Sequence, residues 1–379
     1  MECSIIQILR AVEGGRISFR TLDAPRFRRF EERGELFYRV GNSAIIFNIW
    51  HDGRWRNLKC YTASIERRKI IYGDKLLESE IYIPIDDRRG VWLDVLLDDW
   101  IEGVPLSDYL KLSVETSDNH ALQKLSKDFD SLALDLLSSE SAHGDITCEN
   151  IIVDPSGGLH LIDFDNAFTP DLRGEQSIEL GTEAFQHPLR SVGNFDRTID
   201  DYSLALISTS LSLIALDATI YKQYNHIEGL LFDPREVVEQ RSELHSVALT
   251  LFERQGAILE YRIAMMLTSQ SCDLPDLHYL LRYKVEGVSL NAQPSELFCR
   301  GGLWGYLNEF GREVIPPLFD SALNFSESFA AVKIGTTWHY IDTYCRVVVN
   351  GANYQGLKSV KGGVARVKKD DKWIEIKVG

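Results

Sequence analysis

The sequence predicts an α+β chain in three parts: a strand-rich segment, a helix-rich segment and a short all-β repeat region. Three observations lead there. Apolar runs at 36–40, 45–50 and 54–61 are separated by short turns, and the His51-Asp52-Gly53 turn between the last two carries the Asp-Gly pair that marks a hairpin. From 121 to 139, Leu122, Leu125, Phe129, Leu132 and Leu136 recur every three or four residues, which makes one buried stripe on a helix. Beyond residue 300, Trp304, Trp338 and Trp373 recur at intervals of 34 and 35 residues among short apolar runs, the mark of an internal strand repeat.

A chain of 379 residues is long enough for two or three domains and a sizeable core. Its formal charge of −15 argues against broad nucleic-acid binding, which needs basic faces, and against docking on anionic membranes. No apolar run reaches the length of a membrane span, and the first residues lack a basic flank followed by an apolar core, so no signal peptide is expected. The six cysteines are scattered without a CxxC pair. They read as free thiols of a reducing cytoplasm and not as a zinc site.

Taken in order, residues 1–29 read as an N-terminal extension, apolar at 5–9 and alternating like a strand at 16–20. Arg26, Arg28, Arg29 and Arg33 cluster with Phe27 and Phe30, which fits either a solvated face or a docking arm for an acidic partner. Residues 65–78 are predicted helical, with Ile70, Ile71 and Leu77 inward, and 91–97 form a strand leading into Asp98-Asp99-Trp100-Ile101-Glu102-Gly103. After the striped helix comes 142–168, which reads as strand (151–153), turn (154–158) and strand (159–162) between acidic ends. A hairpin there brings Asn150 and Asp163 close together with Asp145 just before them. One carboxylate can take or orient a hydroxyl proton, while the amide and the second carboxylate can hold Mg²⁺ on a triphosphate. An ordinary hairpin with acidic ends is the plain alternative. Asp200 is a candidate N-cap for a helix to about 216, and helical patterns follow at 237–255, 258–269 and 277–283. A polar stretch with Gly287 and Pro294 marks a linker at 286–302, and 303–379 form the β module.

The central residues carry a resemblance. His143-Gly144-Asp145 with Asn150, followed by Asp163-Phe164-Asp165, resembles the HRDxxxxN and DFG segments of the protein-kinase-like superfamily. The resemblance implies a two-lobed fold, with a β-rich lobe at 30–97 and a helical lobe at 98–285. It implies that Asp145 is the catalytic base, that Asn150 and Asp163 bind Mg²⁺, and that His143 is structural. Asp165, in place of glycine as in small-molecule kinases, could support a second metal or cap the next segment. By the same resemblance Gly41 and Lys59 serve the phosphates of ATP, the backbone of Asp99 and Ile101 reads adenine, and Glu102 meets the ribose.

The match has departures. Gly41 is alone in its loop, and neither Glu66 nor Glu78 falls where the helix glutamate partner of Lys59 belongs. Asp98 takes a position that is usually apolar; it either contacts Lys59 in place of that glutamate or is an exposed strand-end aspartate. Gly144 replaces an arginine that grips a phosphorylated loop, so activity should not need that phosphorylation. Thr147 replaces a lysine near the γ-phosphate, which leaves more of the charge to the metal.

Residues 181–188 resemble the GTxxYxAPE segment of protein kinases, with Thr182 matching its threonine and Leu189 replacing its glutamate. Residues 200–204 resemble the DxWSLG helix start. The C-terminal region, from about 303 to 378, is similar to the bacterial WG repeat, although glycine follows tryptophan only at Trp304. Its tryptophans are expected in the repeat cores.

The expected function is an ATP- and Mg²⁺-dependent phosphotransferase. A protein kinase of serine/threonine type comes first, with the repeats recruiting a protein partner or substrate. A pseudokinase scaffold and a small-molecule kinase remain open, as does transfer of AMP in place of phosphate.

Overall fold

The computed structural model describes residues 3–23, 25–41, 43–86, 88–224, 230–287, 293–358 and 360–378. The chain is mixed α/β and forms two compact units. One comprises residues 1–103 with 169–172, the other 104–168 with 173–379.

In the first unit, helix α1 (Ile5–Glu13) starts at Ser4, whose hydroxyl accepts from Gln7 N in a capping box. Short strands β1 (Ser18–Phe19) and β2 (Arg26–Phe27) follow, then β3 (Tyr38–Val40), β4 (Ala44–His51) and β5 (Arg54–Tyr61). The β4–β5 hairpin turns at Asp52 and Gly53, both at positive φ, as its sequence predicts. Helix α2 (Arg67–Tyr72) and strands β6 (Leu76–Pro84) and β7 (Gly90–Asp99) complete a seven-stranded antiparallel sheet. Its order is β1-β6-β7-β5-β4-β2, with β3 also on β4.

Both faces of the central strands are covered, so β4 reads as a continuous apolar run. Ile8, Ala11 and Val12 of α1 share a core with Ile45, Phe47, Ile49, Leu58 and Cys60 on one face. Ala44, Tyr61, Leu76 and Leu96 form a smaller cluster on the other, with Tyr72 against it. Residues before 30 are thus built into the sheet. Buried Glu80 locks them there by accepting from Thr21 N, Thr21 Oγ1 and Leu22 N, each at 2.7–2.8 Å. Arg28 lies over the rings of Phe37 and Trp55, at 5.2 and 5.4 Å.

The helix predicted over 65–78 is cut short. It ends at Gly73, at φ 55°, and residues 76–84 turn into β6. Ile70, expected inward, is exposed. A bulge between Leu77 and Ile81, with Ser79 at φ 51° and its N–H on Asp94 Oδ1 at 2.8 Å, breaks the alternation that would have shown the strand.

The second unit opens with β8 (Val104–Pro105), α3 (Leu106–Glu115) and α4 (Asn119–Leu137), then the hairpin β9 (Ile151–Val153) and β10 (Leu159–Leu161). Helix α5 (Asp201–Leu216) follows, buried on every side from Asp201 to Ile214, as suits a helix at the centre of a bundle. Around it lie α6 (Thr219–Tyr224), α7 (Pro234–Val238), α8 (Glu243–Gln255), α9 (Ile258–Met266) and α10 (Leu277–Glu286). The single helix predicted over 237–255 is two, because Ser242 caps a fresh start. Part of the predicted linker, 288–292, lies outside the described residues.

The C-terminal region is all-β. β11 (Glu296–Arg300), β12 (Leu303–Leu307) and β13 (Glu313–Phe319) form one antiparallel sheet. β14 (Ser321–Ala322), β15 (Phe329–Ile334), β16 (Thr337–Asp342) and β17 (Val347–Val349) form a second. β18 (Gly356–Leu357), β19 (Val364–Lys369) and β20 (Lys372–Lys377) form a third. Tyr306 and Tyr340, two residues past their tryptophans, fill the interiors. Trp304 and Trp338 are partly buried and pack against the cores, while Trp373 is exposed, so the expectation of tryptophan cores is corrected at Trp373.

The first two sheets share the core of the helices: Ile315, Leu318, Phe319, Val332 and Ile334 belong to one cluster with Phe252, Ile263 and Leu281. Arg262 donates to Leu318 O at 2.5 Å and pairs with Asp320 at 3.0 Å. The Glu253 carboxylate accepts from Thr336 N, Thr336 Oγ1 and Thr337 Oγ1 within 2.8 Å. No helix among the described residues is long and apolar enough to cross a membrane, and all six cysteines are free thiols.

Candidate active site

The hairpin β9–β10 pairs Ile151 with Leu161 and Val153 with Leu159. Its turn is held by Asp154, which accepts from Ser156 N, Ser156 Oγ and Gly158 N, with His160 Nε2 at 2.7 Å from its other oxygen. Those contacts pull the Asp154 carboxyl well below the usual range. At the open end Ile162 N donates to Asn150 O at 3.0 Å, so Asn150 and Asp163 flank the last rung. Asp163 is exposed and sits at φ 66°, a left-handed conformation that costs a non-glycine residue energy and is kept where surroundings impose it.

Asp145 lies just before the hairpin and is half-buried. Asn150 Nδ2 donates to Asp145 O at 2.9 Å and approaches Asp145 Oδ2 at 3.4 Å. Thr182 N donates to Asp145 Oδ1 at 2.7 Å. That approach depends on Gly181, at φ 74°, where a Cβ would stand 2.8 Å from Asp145 Oδ1. A similar constraint holds at Gly144, at φ 82°, where a Cβ would meet Asn166 O at 2.2 Å.

The loop is braced from below. Asp200, at the N-terminus of α5, accepts from His143 N at 2.5 Å and Gly144 N at 2.8 Å. Burial pushes its carboxyl up, and His143, the two N–H groups and Arg190 pull it back. Its neighbour Asp201, accepting only Leu274 N, is pushed up by burial to about 7. His143 is fully buried; its Nε2 stands 2.9 Å from Ile162 O and its Nδ1 3.3 Å from Asp145 N. Its ring packs on Phe164, centroids 4.6 Å apart. Thr147 is buried, and its Oγ1 accepts from Asn150 N at 3.2 Å.

These contacts leave Asn150 Oδ1 as the acceptor not spent on the loop, on the same hairpin end as the Asp163 carboxylate. Asp165, half-buried, is two residues further on. Among the described residues no group of three or more His, Cys, Asp or Glu is placed to hold a metal alone. One amide oxygen and one or two carboxylates fit the protein share of a Mg²⁺ that takes its remaining ligands from phosphate and water. They do not fit a metal held by protein alone.

The remaining predicted residues lie in the first unit. Gly41, exposed, donates its N–H to Ala44 O at 2.9 Å in the β3–β4 turn. Lys59 is 6% exposed, stands across from Ile46 and Leu96, and holds Nζ 5.4 Å from the Tyr61 ring centroid. Asp98 lies opposite Asn57 and pairs with Lys75 at 2.9 Å. Asp99 pairs with Arg54 and Arg56 at 3.0 and 3.4 Å, and Glu102 with Arg28 at 3.7 Å. Ile101 is half-buried just beyond β7. Residues 67–72 of α2, Arg-Arg-Lys-Ile-Ile-Tyr, contain no acid; Glu66 stands at its N-cap and Glu78 in β6.

Sequence reasoning missed Arg190 and Gln186. Both are more than nine-tenths buried. Arg190 Nη1 donates to Gly144 O at 3.2 Å and to Gln186 Oε1. An arginine after His-Pro-Leu carries no motif; the available signal was the bare Gly144.

Comparison with known proteins assigns the C-terminal region: residues 304–338 and 344–373 match the WG containing repeat family. The match lies within the all-β region, leaving out β11 and the end of β20, and does not reach the helices. Curated proteins give no match to the chain.

Proposed function

We propose that the chain is an ATP- and Mg²⁺-dependent phosphotransferase of protein-kinase-like design, acting on a protein hydroxyl. The observation that carries this reading is the set of bonds around Asp145. A half-buried carboxylate is aimed by Thr182 N–H, tied through its own carbonyl to Asn150, and set on a loop braced by buried Asp200. A hydroxyl approaching Asp145 finds a base to take or orient its proton. Asn150 and Asp163 are the residues to hold Mg²⁺, which when bound neutralises charge on the transferred phosphoryl group. The strand order β3-β4-β5-β7-β6 with α2 between β5 and β6, and Lys59 on β5, also support the reading.

The serine/threonine preference rests on resemblance alone. The repeats are the candidate surface for recruiting a protein partner or substrate. The test is transfer of labelled phosphate from Mg-ATP to protein acceptors or to the chain itself, compared with Asp145→Asn. Loss of transfer of about 100-fold or more in a folded variant supports the assignment; an unchanged rate rejects it.

A second reading has one observation in its favour. Helix α2 is six residues long and contains no glutamate. A pseudokinase scaffold would have no need of one. The two readings part on nucleotide: the scaffold predicts no Mg²⁺-dependent binding of ATP.

A further inference from the structure

Gly144 sits beside the proposed base, yet no side chain can be carried there. Its φ is 82°, and a Cβ would stand 2.2 Å from Asn166 O. A cation is nonetheless buried next to this loop, and it comes from another segment. Arg190 is 8% exposed, and its Nη1 donates to the Gly144 carbonyl at 3.2 Å. Gln186 Oε1 accepts from the same nitrogen. Asp200 and Asp145 are the acids whose charges act on it.

Among the described residues the hydrogen bonds of Arg190 run through Nη1 alone. Nothing among them accepts from its buried Nε and Nη2, nor from Gln186 Nε2. Burying a cation costs more than burying an apolar side chain. An apolar side chain would fill the space at lower cost. What an apolar side chain could not do is join the two segments that position Asp145. One is the loop 143–145, whose carbonyl Arg190 holds. The other is 181–190, which carries both Arg190 and Thr182, the donor to Asp145 Oδ1. Gly181 brings them into register: a Cβ there would lie 2.8 Å from Asp145 Oδ1, 2.9 Å from Gly144 O and 3.0 Å from Gln186 Nε2.

We infer that Arg190, seated by Gln186, is a positioning residue for Asp145: it clamps the 181–190 segment to the Gly144 carbonyl, and so holds Thr182 N–H against the Asp145 carboxylate. It does from a distant place in sequence what a side chain at position 144 cannot do. The inference rests on the reading of Asp145 as the catalytic base for its functional meaning, but the clamp itself is testable without turnover.

The experiment compares the full chain with Arg190→Gln, which keeps a donor but loses the charge and the fork, and Arg190→Lys, which keeps the charge and donors but loses the fork. Amide hydrogen exchange is read on peptides covering 177–188, with α5 peptides as the internal reference. The expected result is about tenfold faster exchange in the segment holding Thr182 for Arg190→Gln, a smaller change for Arg190→Lys, and native exchange in α5. Phosphate transfer is measured in parallel. Turnover should fall about 100-fold with the KM for ATP unchanged, as for a displaced catalytic group. Native exchange around Thr182 in Arg190→Gln overturns the inference whatever the turnover. Changed exchange in a chain whose native form transfers no phosphate upholds the clamp and fails the phosphotransferase reading. If Arg190→Gln does not fold, Arg190→Lys decides by the same exchange. If neither folds, Arg190 serves the fold at large and the inference is wrong.

Discussion

Asn150 Nδ2 donates to the main-chain carbonyl of Asp145 at 2.9 Å, spending the amide's nitrogen on the loop and leaving its oxygen for a ligand. Asn150→Leu removes both ends of that arrangement. The fold should survive, because Asn150 is half-buried and its backbone bonds stay. Transfer should fall about 100-fold or more, and added Mg²⁺ should not restore it. Transfer that persists at the native level would separate Asn150 from the chemistry.

Nucleotide binding is read without any acceptor. ATP with Mg²⁺ should raise the thermal midpoint by about 2–4 °C at saturating concentration, since a ligand of the folded state alone stabilises it. ATP without Mg²⁺ should do less, and Asp163→Ala should abolish the difference. An equal rise with and without Mg²⁺ would take Asp163 out of metal binding. No rise at millimolar ATP would favour the scaffold reading.

Asp201 sets a pH dependence of stability. Its folded value of about 7 lies above the ordinary 3.8, so the folded chain holds a proton that the unfolded chain has released between those values. Stability from this group is therefore fully present below about pH 4 and is lost as pH rises through 7. Asp201→Asn, still able to accept from Leu274 N, should flatten this fall and gain roughly 1–2 kcal/mol at pH 8. Denaturant melts at pH 5 and pH 8 check it; an unchanged difference between the two pH values would show that Asp201 is charged in the fold.

In the repeats the tyrosines, not the tryptophans, should carry stability. Tyr306→Ala removes a ring with 1% exposure and should cost about 3–5 kcal/mol, while Trp373→Ala, 39% exposed, should cost about 1 kcal/mol or less. The reverse order by chemical denaturation would contradict the packing.

Much of the second unit was legible in the sequence because its signals are local. The striped helix, the hairpin between Asn150 and Asp163 and the tryptophan spacing each lie in one stretch and appear where expected. What stayed hidden was decided by distant contacts. Helix α1 gains its place from the apolar face of β4, and β6 is masked by the bulge at Ser79. Arg190 has meaning only beside Gly144, 46 residues earlier. Trp373 was misjudged because a repeat period reports which positions recur, not how far each is covered.

The shared core of helices and first two sheets constrains how this chain can change over generations. Insertion or deletion of a repeat near residue 300 would strip Phe252 and Ile263 of their cover and leave Arg262 and Glu253 without partners. The third sheet packs instead in a small cluster of its own with residues of the second, Ala331, Tyr340 and Val349. Loss of the third sheet would uncover Ala331, Tyr340 and Val349 but leave the helices' own core covered, so the repeats divide into an inner part that belongs to the helical core and an outer part that does not.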